Sequence, residues 1–129
     1  MTLPPDSVIP RLENERNIWL ATVRPHKNDP AVRPHLVPVW FAWHDGKLYV
    51  CIKSRSVKGR NLTQNRFVSL SLEDGSKVVI CEGEAEIIPD SEPWPSAVRD
   101  ILRQKYDWET PDGEYDWLVV VTPNKWLVW

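Results

Sequence analysis

The chain has 129 residues, a formal net charge of −2 and a pI near 5.9, with 42% hydrophobic and 26% charged residues. That length predicts one domain, residues 1–129, with enough interior to fold without staples. The charge argues against a nucleic-acid binder, and the longest wholly apolar run, Leu118–Val121, is far below the roughly 20 residues of a membrane span.

Met1–Asp6 carries no basic n-region and no apolar h-region, so a cytoplasmic location is expected. Pro5–Glu13 reads as a short first helix, with Asp6 or Ser7 as its cap and Pro10 tolerated in the first turn. Ile18–Val23 is rich in β-formers and predicts a strand. Arg24–Arg33 holds Pro25, Asn28, Asp29 and Pro30 and predicts a loop. His35–Trp43 predicts a second strand covered on both faces. His44-Asp45-Gly46-Lys47 is a turn signal, and Leu48–Lys53 follows as the other arm of a hairpin. Ser56–Asn65 has helical spacing. Phe67–Leu72 alternates as a half-buried strand, and a second D-G turn at Asp74-Gly75 leads to a long strand, Lys77–Ile88. Glu92–Tyr106 carries a helix with Val98, Ile101, Leu102 and Tyr106 on one face. Tyr115–Thr122 and Lys125–Trp129 predict two last strands parted by Pro123-Asn124. Strands joined by D-G turns are antiparallel, and regular strand–helix alternation is missing. The fold class is mainly β: a small antiparallel barrel with peripheral helices.

The catalytic signatures are mostly absences. The sequence has no G-x-G-x-x-G, no P-loop, no H-E-x-x-H and no G-x-S-x-G. His26, His35 and His44 are evenly spaced with nothing to converge them, so no metal site is expected. Cys51 and Cys81 each sit in an apolar run and read as small core residues. Glu82, Glu84 and Glu86 read as a solvated strand face. Eight tryptophans point either to a ring-binding site or interface, or to core filling.

One constellation stands out. Lys53, Arg55, Lys58, Arg60 and Arg66 are concentrated in a stretch without acids. Within it, Ser56 stands where a helix N-cap belongs. A helix start presents free backbone N–H groups to an anion, and Lys58 adds a point charge. A capped helix with a basic exposed face is the alternative.

The ordered segments Ile18–Val23, Arg33–Phe41, Gly46–Val50, Ser56–Leu62 and Val78–Glu86 resemble the pyridoxamine 5′-phosphate oxidase-like, FMN-binding split-barrel superfamily. The resemblance spans about Leu3 to Trp129 and implies an antiparallel split β-barrel. The V-K-G-R-N-L form at Val57–Leu62 is similar to the branch that includes deazaflavin (F420)-dependent reductases as well as FMN proteins. By this resemblance Ser56 and Lys58, with Val57 between them, hold the cofactor phosphate, and Arg60 and Asn61 assist. Val37, Pro38, Val39 and Trp40, with Cys51, Ile52 and Lys53, match strands lining the isoalloxazine ring. The resemblance also implies a homodimer with the flavin at the interface, where Trp126 or Trp129 would reach a partner's ring. No arginine- and histidine-bearing segment follows Trp129, so vitamin B6 oxidase activity is not expected. The implied function is FMN-dependent oxidation or reduction of a small molecule. The alternatives are an F420-dependent reductase, or a non-enzymatic flavin store or haem binder with His35 as the candidate axial ligand. No catalytic residue is named, and the electron donor and substrate stay open.

Overall fold

The computed structural model describes residues 1–26 and 29–129. A 3-10 turn, Asp6–Val8, runs into α1 (Ile9–Asn14). Then come β1 (Ile18–His26), β2 (Asp29–Val39), β3 (Phe41–His44), β4 (Lys47–Ile52), α2 (Val57–Gln64), β5 (Phe67–Ser71), β6 (Val79–Pro89), α3 (Ser96–Tyr106) and β7 (Trp117–Val128). The strands form one seven-stranded sheet in the order β2-β1-β5-β6-β7-β4-β3, antiparallel throughout. Its edge strands, β2 and β3, are consecutive in the chain and separated by Trp40 alone. A sheet whose two edges lie one residue apart has to curl round to meet itself. The result is the mainly β, split-barrel architecture expected from the sequence.

Alternation along β4 separates two cores. Leu48, Val50 and Ile52 point into the barrel, where they meet Leu12, Leu20, Phe41 and Leu70. Tyr49 and Cys51 point the other way, toward α3. On α3, Val98, Leu102 and Tyr106 are buried at a four-residue spacing, so one stripe covers the outer face of β3, β4 and β7. Burying a side chain such as Leu102 contributes about 1.5–3 kcal/mol. The β3–β4 hairpin turns at Asp45 and Gly46, with φ of 49° and 77°. That pair of left-handed residues is what the D-G dipeptide supplies in a tight hairpin.

Several expectations are corrected. The predicted loop Arg24–Arg33 is largely strand: β1 runs on to His26 and β2 starts at Asp29. Asn28, part of that prediction, lies outside the described residues. β2 is an edge strand with β1 as its one neighbour, so prolines within it break no second ladder. The predicted strand His35–Trp43 is two strands broken at Trp40, at opposite edges of the sheet. The last two predicted strands are one. Gly83 pairs with Pro123 and Glu82 with Lys125, which leaves Asn124 as the extra residue of a bulge. Gly83 is required there, because a Cβ would lie 2.4 Å from the Thr122 carbonyl oxygen. The helix expected from Glu92 starts at Ser96, after Pro93 and Pro95. Neither Asp6 nor Ser7 caps the first helix with its side chain.

Candidate functional site

The turn between β4 and α2 is built on Ser56. Its hydroxyl donates to the Lys53 carbonyl at 2.6 Å and accepts the Gly59 N–H at 3.2 Å. The Ser56 carbonyl accepts the Arg60 N–H, which opens the helix. Gly59 packs against the turn so closely that a Cβ would lie 2.6 Å from the Ser54 carbonyl oxygen. Ser54 donates through its backbone N–H and its hydroxyl to the two Asp116 oxygens, at 2.8 and 2.6 Å. Those bonds hold the Asp116 carboxyl below its ordinary range and tie the turn to the approach to β7. Val57 and Lys58, the first two residues of α2, present the N–H groups that any helix start leaves without an intrahelical partner. Lys58 is half-buried; burial, and the like charge of Lys53, pull its ammonium below the ordinary value.

A wall of rings stands beside this turn. Trp40 lies flat on Tyr106, with centroids 4.5 Å apart. Trp108 meets Trp40 edge-on at 5.6 Å, and Tyr115 meets Trp108 edge-on at 5.1 Å. The segment carrying Trp108 and Tyr115 is shaped by Asp112. Its carboxylate takes the Trp108 indole N–H at 2.9 Å and the backbone N–H groups of Glu114 and Tyr115 at 3.0 and 2.8 Å. Lys53 lies over the Tyr115 ring at 5.2 Å and pairs with Glu114 at 3.3 Å. Behind Trp40, the Tyr106 hydroxyl accepts the Phe41 N–H at 3.0 Å and donates to the Arg16 carbonyl at 2.7 Å.

Between turn and wall lies a cavity of about 420 Å³, within the range of small-molecule and cofactor sites. Asn17, Pro38, Val39, Trp40 and Cys51 line it, with Lys58, Trp108 and Tyr115. Burial, and the charge of Asp112, push the Cys51 thiol up to about 12. Cys51 is therefore a neutral wall residue and not a nucleophile.

Of the residues singled out in the sequence, Pro38, Val39, Trp40, Cys51 and Lys58 come together on this cavity. The others lie around it. Val37 packs against the barrel core, and Ile52 is buried inside it. Lys53 turns toward Tyr115 and Glu114, and Ser56 is committed to the cap. Val57 and Arg60 are exposed on α2. Asn61 is buried, with its amide Nδ2 on the Thr22 hydroxyl at 2.9 Å and, among the described residues, no partner for its Oδ1. Asn17, Trp108 and Tyr115 were not singled out. For the two aromatics the signal was the ring-rich composition; for Asn17 there was none. His35 is half-buried on β2, opposite Thr22, and does not line the cavity. Among the described residues no cluster of three metal-type ligands occurs. The Trp126 indole donates to the Thr2 carbonyl and its ring meets Trp43 edge-on, whereas Trp129 is 68% exposed.

The family model of pyridoxamine 5′-phosphate oxidase matches residues 6–129, and the chain belongs to that family. No curated protein matches the sequence. Among solved structures, an F420 reductase is 29% identical, with 96% of this chain and 98% of that one covered and a TM-score of 0.74. The haem storage protein HutZ from Vibrio cholerae is 22% identical, with 99% and 95% covered and a TM-score of 0.74. An FAD-binding protein from Mesorhizobium loti is 21% identical, with 98% and 94% covered and a TM-score of 0.70. The last two likenesses speak to the fold alone.

Proposed function

We propose that this chain is an oxidoreductase that holds FMN in the cavity beside Trp40. The observation that carries this reading is the meeting, on one cavity, of a half-buried lysine at a helix start with a wall of aromatic and apolar side chains. The donor set fits the group. Lys58 and the N–H groups of Val57 and Lys58 suit a phosphate, while Pro38, Val39, Trp40 and Trp108 suit a flat ring system. A bound flavin supplies hydride-transfer chemistry between a reduced donor and a small-molecule acceptor. The protein's part is to anchor one end by charge, set the ring against Val39 and Trp40, and exclude water with the Trp108–Tyr115 segment. Cys51, neutral at physiological pH, adds surface without reactivity. In this reading the protein works in the cytoplasm as a homodimer, with the cofactor at the subunit interface.

The second reading is an F420-dependent reductase. The 29% identical F420 reductase favours it, and so do Lys53, Arg55 and Arg60 exposed around the start of α2, which suit a longer acidic tail. The test is an absorbance spectrum of the purified protein, as isolated and on titration with FMN and with F420. Saturable FMN binding near one equivalent per chain supports the first reading. F420 binding without FMN binding selects the second, and binding of neither overturns both.

A further inference from the structure

We propose that Asn17 reads the polar edge of the ring held in this cavity, an assignment that rests on the function proposed above. Asn17 lines the cavity and is half-buried, and among the described residues its side-chain amide makes no hydrogen bond within the protein. The other described asparagines with buried or half-buried side chains each make a bond and do not line the cavity: Asn61 donates to Thr22, and Asn65 accepts the Phe67 N–H.

The other polar side chains on the wall match a neutral edge less well. The Trp108 N–H is taken by Asp112, the Trp40 indole N–H is a donor only, the Cys51 thiol is a weak donor, and Lys58 is a cation suited to an anion. Tyr115 retains a hydroxyl, which donates and accepts through one oxygen, whereas the Asn17 amide presents its donor and its acceptor on two separate atoms in one plane. The pyrimidine edge of a flavin alternates carbonyl and N–H groups, which a planar amide meets at two points.

Asn17 is also held in place from both sides. The Arg16 carbonyl accepts from the Tyr106 hydroxyl at 2.7 Å, and Arg16 Nη1 donates to the Lys105 carbonyl at 2.8 Å. On the other side Ile18, 2% exposed, pairs with Val39, itself a cavity residue. The amide is thus presented from a fixed backbone, which lowers the ordering cost of recognition.

The test compares FMN with riboflavin, which has the same ring and no phosphate. Each is titrated into the wild type, Asn17→Leu, Asn17→Asp and Lys58→Ala by flavin fluorescence, with the bound flavin's absorption band recorded. Asn17→Leu is expected to weaken both ligands by the same factor, roughly threefold to tenfold, the worth of one or two neutral hydrogen bonds, and to shift the band. Asn17→Asp keeps the shape, loses the donor and is expected to weaken both as well, so a folding defect in the leucine variant does not decide the matter. Lys58→Ala is expected to weaken FMN and leave riboflavin unchanged. Unchanged affinities and an unmoved band in both Asn17 variants would overturn the proposal, as would a loss confined to FMN. If the wild type binds neither flavin, F420, which shares the edge, becomes the probe. Failure of all three probes with the wild type overturns the cofactor reading itself, an outcome distinct from unchanged binding in the Asn17 variants.

Discussion

The planes of Trp40 and Tyr106 are 6° from parallel, with ring centroids 4.5 Å apart. The contact joins the single residue between the barrel's two edge strands to the last turn of α3. It explains how a break in the sheet becomes a wall. At Trp40 the chain leaves β2 and crosses to the opposite edge of the sheet, so its side chain is free to lie against the outer layer. Tyr106 backs it on one face, and Arg16 lies 6.0 Å from its ring.

Tyr106→Phe keeps the stack and removes the hydroxyl. The buried Phe41 N–H and the Arg16 carbonyl then lose a partner. The expected cost is about 1–3 kcal/mol of stability, read from urea unfolding with an unchanged slope. Wild-type stability in this variant would mean that the hydroxyl does not hold the strand break in place.

Gly59→Ala brings a methyl group against the backbone of the turn, 2.6 Å from the Ser54 oxygen. Backbone cannot yield as a flexible side chain does, so α2 must shift away from the turn. Overpacking of this kind costs roughly 1–3 kcal/mol, although alanine is otherwise the better helix former by about 1 kcal/mol. Thermal unfolding is expected to show a lowered midpoint. A raised midpoint would show that propensity outweighs the clash.

Lys105 predicts a dependence on pH. Its ammonium donates to the Phe41 carbonyl at 3.1 Å. Burial, then the Arg16 charge, pulls it from 10.5 to about 8. Below pH 8 the folded and unfolded states are both protonated, and the burial cost is carried in full. Between about 8 and 10.5 the unfolded chain holds more protons, so this group makes stability rise with pH. The Cys51 and Cys81 thiols, pushed from 9.0 to about 12, and the Tyr106 hydroxyl, pushed from 10.0 to about 12, act in the opposite direction as pH climbs. The contribution of Lys105 is therefore read as a difference. The wild type is expected to gain stability relative to Lys105→Met as pH rises from 8 to 10; a gap constant across that range would contradict the assignment.

Where local chemistry decides structure, the sequence was readable. Ser56 caps α2 because a serine before a helical run has that bond within reach, and Asp45-Gly46 turns the hairpin because both residues tolerate positive φ. What stayed hidden depends on contacts distant in the chain. Apolar residues on both sides of Trp40 give one continuous strand signal, and the break appears only when the sheet closes. Pro123-Asn124 reads as a strand end, yet a bulge opposite Gly83 absorbs it. For the site, Lys58 and Trp40 were legible from the basic turn and the family pattern. Trp108 and Tyr115 reach the cavity through a loop ordered by Asp112, and Asn17 through the grip of Tyr106 and Lys105 on Arg16. No short-range pattern records those placements.

In the proposed function the cavity at the start of α2 binds a phosphate-bearing flavin through Lys58. Calorimetric titration of FMN into the wild type and into Lys58→Ala, at matched folded fractions, tests it most directly. A charge-assisted contact predicts a loss of roughly tenfold to a hundredfold in affinity in the variant, with thermal stability unchanged or slightly raised, because a half-buried charge beside Lys53 is removed. Equal FMN affinity in the two proteins would contradict the account.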